Sequence, residues 1–105
     1  MPIMEIAIVP VGTKSTSLSK YVADADRILK KEKGIKYQLT AMGTQIEATS
    51  LSKLLNLAGE MHGAVLNRNK DLKRVITSIS IDDRRDKKLT IKGKLKSVQK
   101  KIGAK

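Results

Sequence analysis

Apolar and polar positions alternate along the chain in a way that predicts four strands. Residues 3–11 (IMEIAIVPV) are apolar at both alternating sets of positions, as is typical of a central strand buried on both faces. Two β-prone runs, residues 36–42 (KYQLTAM) and 44–49 (TQIEAT), are separated only by Gly43 and predict a tight hairpin. The fourth strand is predicted over residues 74–81 (RVITSISI).

The segment after the first strand has the periodicity of an amphipathic helix. Ser15 or Ser17 supplies a side-chain oxygen for the N-terminal cap, and Gly34 lies where the helix ends. Charged residues, Asp24 among them, are expected on the solvent side of this helix. The residues predicted to face the core are Leu18, Tyr21, Val22, Ala25, Ile28 and Leu29.

The same periodicity predicts two more helices. The second follows a cap at Thr49 or Ser50, and the third is a short, strongly basic helix over residues 93–102. The apolar stripe of the second helix consists of Leu51, Leu54, Leu55, Ala58, Met61, Val65 and Leu66.

The predicted element order is β-α-β-β-α-β with an additional C-terminal helix. Two right-handed crossovers in this order indicate an α+β protein of the ferredoxin-like class. Such a fold has an antiparallel four-stranded sheet with helices on one face, here followed by the terminal helix. A chain of 105 residues has the length of one domain, so residues 1–105 are interpreted as a single unit.

The sheet face without helices is predicted to be an interface between copies of the chain. The fourth strand has no charged residue between Val75 and Ile81, whereas a sheet face exposed to water normally has charges. The set formed by Ile76, Ser78 and Ser80 is therefore expected to be covered by another subunit, with sheet packed on sheet.

The positive charge of the chain is concentrated near its C-terminus. Residues 1–83 contain 12 Lys and Arg against 9 Asp and Glu, whereas residues 84–105 contain 10 against 1. The basic C-terminal segment, residues 88–105, is interpreted as a solvated surface, and the alternative is a polyanion- or nucleic-acid-binding module. With two tyrosines and no Phe or Trp, stacking on single-stranded nucleic acid is not expected.

Composition excludes several other classes of protein. Because the chain has no cysteine, it has neither a disulfide framework nor a thiolate metal site nor a cysteine nucleophile. The sequence shows neither a membrane-spanning run nor the basic start of a signal peptide, so a cytoplasmic protein without membrane contact is expected. Many lysines without cysteine favour a thermophilic source.

The residues with catalytic or metal-binding potential do not form a recognisable active site. His62 lies on the apolar side of the second helix, where a packed histidine is the first interpretation and a ligand contact the second. The aspartates of the segment 82–87 (DDRRDK) alternate with basic residues, which favours ion pairing over metal binding. The loop after the first strand lacks the glycine pattern of a phosphate-binding loop. It also lacks the arginine that an acylphosphatase, an enzyme of the same fold, needs in this loop. We therefore expect no catalysis, no metal and no cofactor.

Three segments in the same order resemble the thiamine-binding family of small ferredoxin-like proteins. They are residues 12–23 (GTKSTSLSKYVA), 37–47 (YQLTAMGTQIE) and 81–87 (IDDRRDK), and the resemblance extends from Ile6 to about Ser97. It implies subunits that assemble through their sheets into dimers and tetramers, here expected as a homotetramer. It also implies binding of thiamine or its pyrimidine moiety without catalysis.

The family's motif positions indicate which side chains contact the ligand. Thiamine combines a flat aminopyrimidine with a permanently cationic thiazolium, which suit hydroxyls, a carboxylate and an aromatic face. The residues at these positions also have structural explanations, such as the preference of threonine for strands or an ion pair between Glu47 and a lysine. The resemblance implies ligand-binding roles for Thr13, Ser17, Tyr37, Thr40, Met42, Gly43, Thr44, Glu47 and Asp82.

Four positions depart from the pattern that is usual in this family. Ala41 stands in place of proline and Ala48 in place of glycine. In the second helix, Gly63 and Leu66 occupy positions where Glu and Phe are common. An aromatic wall of the ligand pocket is therefore expected to be missing.

Overall fold

The chain folds into a four-stranded antiparallel sheet with two helices packed on one face, which confirms the predicted ferredoxin-like α+β architecture. The computed structural model describes residues 1–103. The strands follow the order β2-β3-β1-β4 across the sheet. Along the chain the elements are β1 (Ile3–Val11), α1 (Ser19–Lys30), β2 (Lys36–Leu39), β3 (Thr44–Glu47), α2 (Leu51–Arg68), β4 (Arg74–Asp82) and α3 (Ile91–Gly103).

The central position predicted for β1 is confirmed. It pairs with β4 along its whole length and with β3 through its first four paired positions. Met4 and Ile6 point to the helix layer, where their side chains are almost completely buried. Because directly paired residues lie on the same side of a sheet, Ile46 and Thr44 of β3 face the helices as well.

The start of α2 follows the prediction, but the start of α1 does not. Ser50 caps α2, and its Oγ accepts a hydrogen bond from the Lys53 amide at 3.2 Å. The predicted cap of α1 at Ser15 or Ser17 is wrong, because α1 begins after Leu18 without a side-chain cap. The Ser15 Oγ instead accepts a hydrogen bond from the Ser17 amide, which closes a local turn that competes with a helix start.

The third helix lies on the other face of the sheet and begins earlier than predicted. It starts at Ile91 instead of Gly93, and Ile91 and Leu89 form a small buried cluster with Ile3 of β1. The face that was expected to be free of helices is therefore covered at this end. At the opposite end it stays open, and the side chains of Val9 and Ile76 are 43% and 51% exposed.

Asp24 of α1 is buried, which corrects its predicted position on the solvent side. Its carboxylate accepts hydrogen bonds from Arg27 and from Asn69 Nδ2, the latter at 3.0 Å. Asn69 Nδ2 also donates to the carbonyl oxygen of Val65 at 2.7 Å, at the end of α2. Burial alone would raise the pKa of Asp24, but the hydrogen bonds and the arginine charges outweigh it and lower this pKa. The Asp24–Asn69 pair therefore ties α1 to the end of α2.

Replacing Asn69 with alanine tests the importance of this link. We expect Asn69→Ala to lower the free energy of unfolding by about 1–3 kcal/mol, since a buried carboxylate loses a donor. Denaturant unfolding followed by circular dichroism measures the change. The matched control is Asn67→Ala on the exposed side of the same helix, which we expect to change stability by less than about 0.5 kcal/mol. Equal losses in both variants would contradict the proposed link.

Candidate functional site

A small pocket lies between α1 and the β2–β3 hairpin, on the helix-bearing side of the sheet. Its volume is about 160 Å³, and hairpin residues 39–44 form one wall. Its remaining walls are largely apolar, and its polar side chains are Asp26, Thr40 and Thr44. The apolar part of the lining includes Ile6, Ile8, Leu18, Val22, Ala25 and Met61.

The hairpin loop gets its shape from Thr40 and Gly43. The Thr40 hydroxyl donates to the Gly43 carbonyl oxygen at 2.7 Å and accepts from the amides of Gly43 and Met42 at 3.1 and 3.3 Å. Gly43 lies so close to β1 that a Cβ atom there would be 3.1 Å from the Ile6 carbonyl oxygen. Because a hydroxyl has one donor and two acceptor sites, Thr40 is fully engaged in holding the loop.

The polar end of the pocket is a contact between Asp26 of α1 and Thr44 of β3. The Thr44 hydroxyl lies 3.1 Å from both carboxylate oxygens of Asp26 and donates its hydrogen bond to them. Burial raises the pKa of the Asp26 carboxyl, and the hydrogen bond from Thr44 offsets this only in part. Within residues 1–103 no lysine or arginine forms an ion pair with Asp26.

The structure brings together four of the residues that the sequence predicted as ligand contacts. Thr40, Met42, Gly43 and Thr44 all line this pocket. Met42 is 85% exposed, so it lies at the mouth of the pocket. The hairpin is therefore the part of the predicted site that forms one cavity within a single copy of the chain.

Three other predicted residues lie elsewhere on the chain. Thr13 lines a separate basic cleft with Lys20 and Arg68. Asp82 forms an ion pair with Lys94 of α3 at 2.5 Å. Ser17 lies in the exposed loop before α1. Their roles as ligand contacts stay predictions, and a single copy of the chain does not join these residues to the hairpin pocket.

Tyr37 and Glu47 flank a groove between the edge strand β2 and the helix α3. Glu47 is buried there, and its Oε1 accepts a hydrogen bond from the Ile91 amide at 2.9 Å. This bond satisfies one of the free amides at the start of α3, so Glu47 has a structural task on the face opposite the pocket. A role of Glu47 toward a cationic ligand also stays a prediction.

Two other sequence interpretations are confirmed or refined. Ion pairs connect Arg84 with Asp86 and Arg85 with Asp83, which confirms the loop after β4 as an ion-paired segment. His62 packs between α2 and β4, where its Nδ1 lies 2.7 Å from the Thr77 hydroxyl. No group of three potential metal ligands is found among residues 1–103.

Asp26 is the site residue that the sequence reasoning missed. It follows Val22 by four positions and precedes Leu29 by three, so it lies on the inward side of α1. This spacing was a usable signal, because a carboxylate at a core-facing position of an amphipathic helix is costly without a partner. The partner, Thr44, is 18 residues away in sequence and becomes visible only in the structure.

Comparison with known proteins identifies the relatives of this chain. Residues 4–99 match the family profile described as thiamine-binding protein. The chain belongs to this family. Among curated relatives, the UPF0045 protein YqgV of Bacillus subtilis is 47% identical over 105 residues, covering 97% of this chain and 98% of its own.

Solved structures of relatives support the same fold. Protein MJ1052 of Methanocaldococcus jannaschii superimposes with a TM-score of 0.82 at 41% identity, covering 93% of this chain and 95% of that chain. A candidate thiamine biosynthesis or salvage protein of Thermotoga maritima has a TM-score of 0.73 at 18% identity, covering 92% and 97% of the two chains. The latter likeness concerns the fold alone. No helix in residues 1–103 of this thiamine-binding family member is long and apolar enough to cross a bilayer.

The hairpin geometry predicts a clear effect of removing the Thr40 hydroxyl. We expect Thr40→Val to lower the free energy of unfolding by about 1–2 kcal/mol, because two loop amides and a carbonyl lose their shared partner. Urea unfolding measures the loss. The control is Thr16→Val in the exposed loop after β1, which we expect to stay within about 0.5 kcal/mol of the parent protein. An unchanged Thr40→Val protein would contradict this account of the loop.

Proposed function

We propose that this protein is a non-catalytic small-molecule-binding protein whose ligand is thiamine or a related aminopyrimidine. The observation that supports this most directly is the hairpin pocket, which combines a mostly apolar lining with a desolvated carboxylate and a threonine hydroxyl. A concave apolar site with a few convergent polar groups is typical of small-molecule binding. Membership of the thiamine-binding protein family supports the choice of ligand class.

Binding without turnover is the expected activity, and it involves neither a metal nor a cofactor. The hydroxyl of Thr40 is engaged with the hairpin backbone, and the hydroxyl of Thr44 donates to Asp26. The acceptors that remain for a ligand's hydrogen-bond donors are the Asp26 carboxylate and the oxygen of Thr44. Mass spectrometry of thiamine after long incubation with the protein tests this part of the proposal. Recovery of intact ligand is expected, and a protein-dependent product would contradict it.

Ligand binding is expected to stabilise the protein. A ligand at about one hundred times its dissociation constant adds roughly 2.7 kcal/mol to the free energy of unfolding. For a domain of this size, that gain raises the melting temperature by about 10 °C. Thermal-shift measurements with thiamine, thiamine phosphate and 4-amino-5-hydroxymethyl-2-methylpyrimidine provide the first test, and calorimetry provides the second. Absence of both a shift and binding heat at millimolar concentration would rule out the proposed ligand class.

The second part of the proposal is a homo-oligomer, a dimer or tetramer assembled through the sheet. Its support is the open part of the outer sheet face, where the apolar side chains of Val9, Val11 and Ile76 are exposed. Contiguous exposed apolar side chains on a sheet favour covering by another protein surface. The paired positions Val9–Ile76 and Ala7–Ser78 have no charged side chain, whereas Val11, at the end of the strand, pairs with Arg74.

Introducing a charge on this face is expected to dissociate the oligomer. Light scattering at micromolar concentration should give at least twice 11.6 kDa for the parent protein. Ile76→Lys should give the monomer mass, because an unpaired charge buried in an interface costs several kcal/mol. The control, Ala23→Lys, adds the same charge on the exposed side of α1 and should leave the mass unchanged. A parent protein that stays monomeric as its concentration is raised would contradict this part of the proposal.

A polyanion-binding function is the competing proposal, and it rests on α3. This helix has five lysines and no acidic residue between Ile91 and Gly103. Replacing Lys100 and Lys101 with glutamine tests it better than deleting residues 88–105, because Leu89 and Ile91 belong to a buried cluster. Duplex DNA binding that weakens steeply with salt and is reduced in the double variant would favour this alternative.

A further inference from the structure

The basic cleft around Thr13 is separate from the hairpin pocket and about four times as large. Its volume is about 670 Å³, against about 160 Å³ for the pocket. Its walls are the loop after β1 (residues 12–15), the first turn of α1 with Lys20 and Tyr21, and residues 68–72 at and after the end of α2. Small-molecule sites typically measure about 300–1,000 Å³, so this cleft has room for more than a single small ion.

Positive charge dominates the lining of the basic cleft. Four of its side chains are basic, and one, Asp71, is acidic. None of the four basic side chains forms an ion pair within residues 1–103, and all four residues are exposed. They are Lys14, Lys20, Arg68 and Lys70. Because unpaired cations gathered on one concave surface attract anions, the cleft favours a negatively charged ligand.

The backbone of the cleft adds hydrogen-bond donors. In the part of the chain that the structure describes, the amides of Thr13, Lys14 and Ser15 donate to no protein acceptor. Helix α1, whose first turn also lines the cleft, begins without a side-chain cap and without an acidic residue in that turn. The first amides of a helix have no partner within the helix, and they carry the positive end of its dipole. These free donors suit the oxygens of a phosphate group.

The same lining contains two hydrogen-bond acceptors. Asn69 is only 8% exposed, and its Nδ2 donates to Asp24 and to the Val65 carbonyl oxygen, which fixes the orientation of its amide. Its Oδ1 is buried without a hydrogen-bond partner among residues 1–103. The exposed carboxylate of Asp71 is the second acceptor. A fully ionised phosphate has no proton to donate to these groups, so they favour a ligand that also carries hydroxyl groups.

We propose that the basic cleft binds a phosphate monoester that carries free hydroxyl groups, the chemistry shared by sugar phosphates and nucleotides. Lys14, Lys20 and Arg68 bind the phosphate together with the loop amides. The Asp71 carboxylate accepts a hydrogen bond from a hydroxyl group of the ligand. Asn69 Oδ1 is reached through a bridging water, because this oxygen is buried. This site goes beyond the proposed binding of thiamine, which concerns the hairpin pocket.

Calorimetry at constant ionic strength tests the ligand class with ribose 5-phosphate and adenosine 5′-monophosphate. The tighter of the two esters should bind at least about tenfold more strongly than inorganic phosphate, sulfate or its own unphosphorylated parent, since only the ester makes both kinds of contact. Its identity shows whether the ligand is a sugar phosphate or a nucleotide. Equal affinity for the esters and for inorganic phosphate or sulfate would reveal a general attraction of anions and overturn the proposal.

A double substitution locates the phosphate. Lys20→Gln combined with Arg68→Gln should weaken binding of the ester at least about tenfold, because two charge-assisted hydrogen bonds are lost. The matched control, Lys30→Gln combined with Lys33→Gln, removes the same charge beyond the other end of α1 and should change the affinity by less than about twofold. Thermal melting without ligand checks that both proteins are folded. Equal weakening in the two proteins would contradict a site in this cleft.

Asp71→Asn separates recognition of the hydroxyl groups from attraction of the phosphate. The substitution removes a negative charge and a strong acceptor. The variant should therefore bind inorganic phosphate more tightly, while its preference for the ester should fall at least about threefold. Glu60→Gln, an exposed position of α2 outside the cleft, should keep the parent preference. An unchanged preference in Asp71→Asn would contradict the choice of a ligand that carries hydroxyl groups.

Competition separates this proposal from the proposed function. The linings of the basic cleft and of the hairpin pocket share no residue, so an excess of thiamine should leave the affinity for the ester unchanged. Displacement of the ester by thiamine would overturn the proposal of a separate site. Binding of an ester without binding of thiamine would contradict only the proposed function. Binding of thiamine without binding of either ester would contradict only the present proposal.

Discussion

The burial of β1 between two neighbouring strands is the constraint on which the rest of the structure depends. Its antiparallel pairing with β3 and β4 fixes the register of both partners. Because Met4 and Ile6 face the helix layer, their partners across the sheet must face it too. Thr44 pairs with Ile6 and is thereby directed toward α1, where it meets Asp26. A shift of β3 by one residue would turn Thr44 to the opposite face and remove the polar end of the pocket.

Two aspartates on α1 show how the helix layer gives similar side chains different tasks. Asp24 has a guanidinium and a carboxamide as partners, and its pKa is lowered. Asp26, two positions further along, accepts a hydrogen bond from a hydroxyl and forms no ion pair within residues 1–103, and its pKa is raised. The first carboxylate accepts a hydrogen bond on each of its two oxygens and serves the packing of α1 against the end of α2. The second retains acceptor capacity beside a cavity, which is the property expected of a recognition group.

The sequence predicted the strands and helices well because each has its own periodicity. It did not predict which side chains of each element are buried by the rest of the protein. Strand β1, the hairpin and the Ser50 cap follow directly from local patterns. Leu51 and Leu55 belong to the predicted buried stripe of α2 but are exposed, because β4 is an edge strand and no further strand lies beyond it within residues 1–103. Asp24 fitted a solvent-facing pattern because its partner Asn69 is 45 residues away. For the same reason, the sequence did not predict the hydrogen bond between Asp26 and Thr44, which are 18 residues apart along the chain.

The third helix separates progressively from the body of the protein. Along its apolar stripe, exposure rises from 7% at Ile91 to 43% at Leu95, 57% at Val98 and 73% at Ile102. Its first turn is therefore part of the fold, whereas its last two turns can fray without uncovering the core. Two of the five lysines of α3, Lys100 and Lys101, lie on these loosely attached turns. Substitutions at the end of α3 would thus change the net charge of the protein with little consequence for folding.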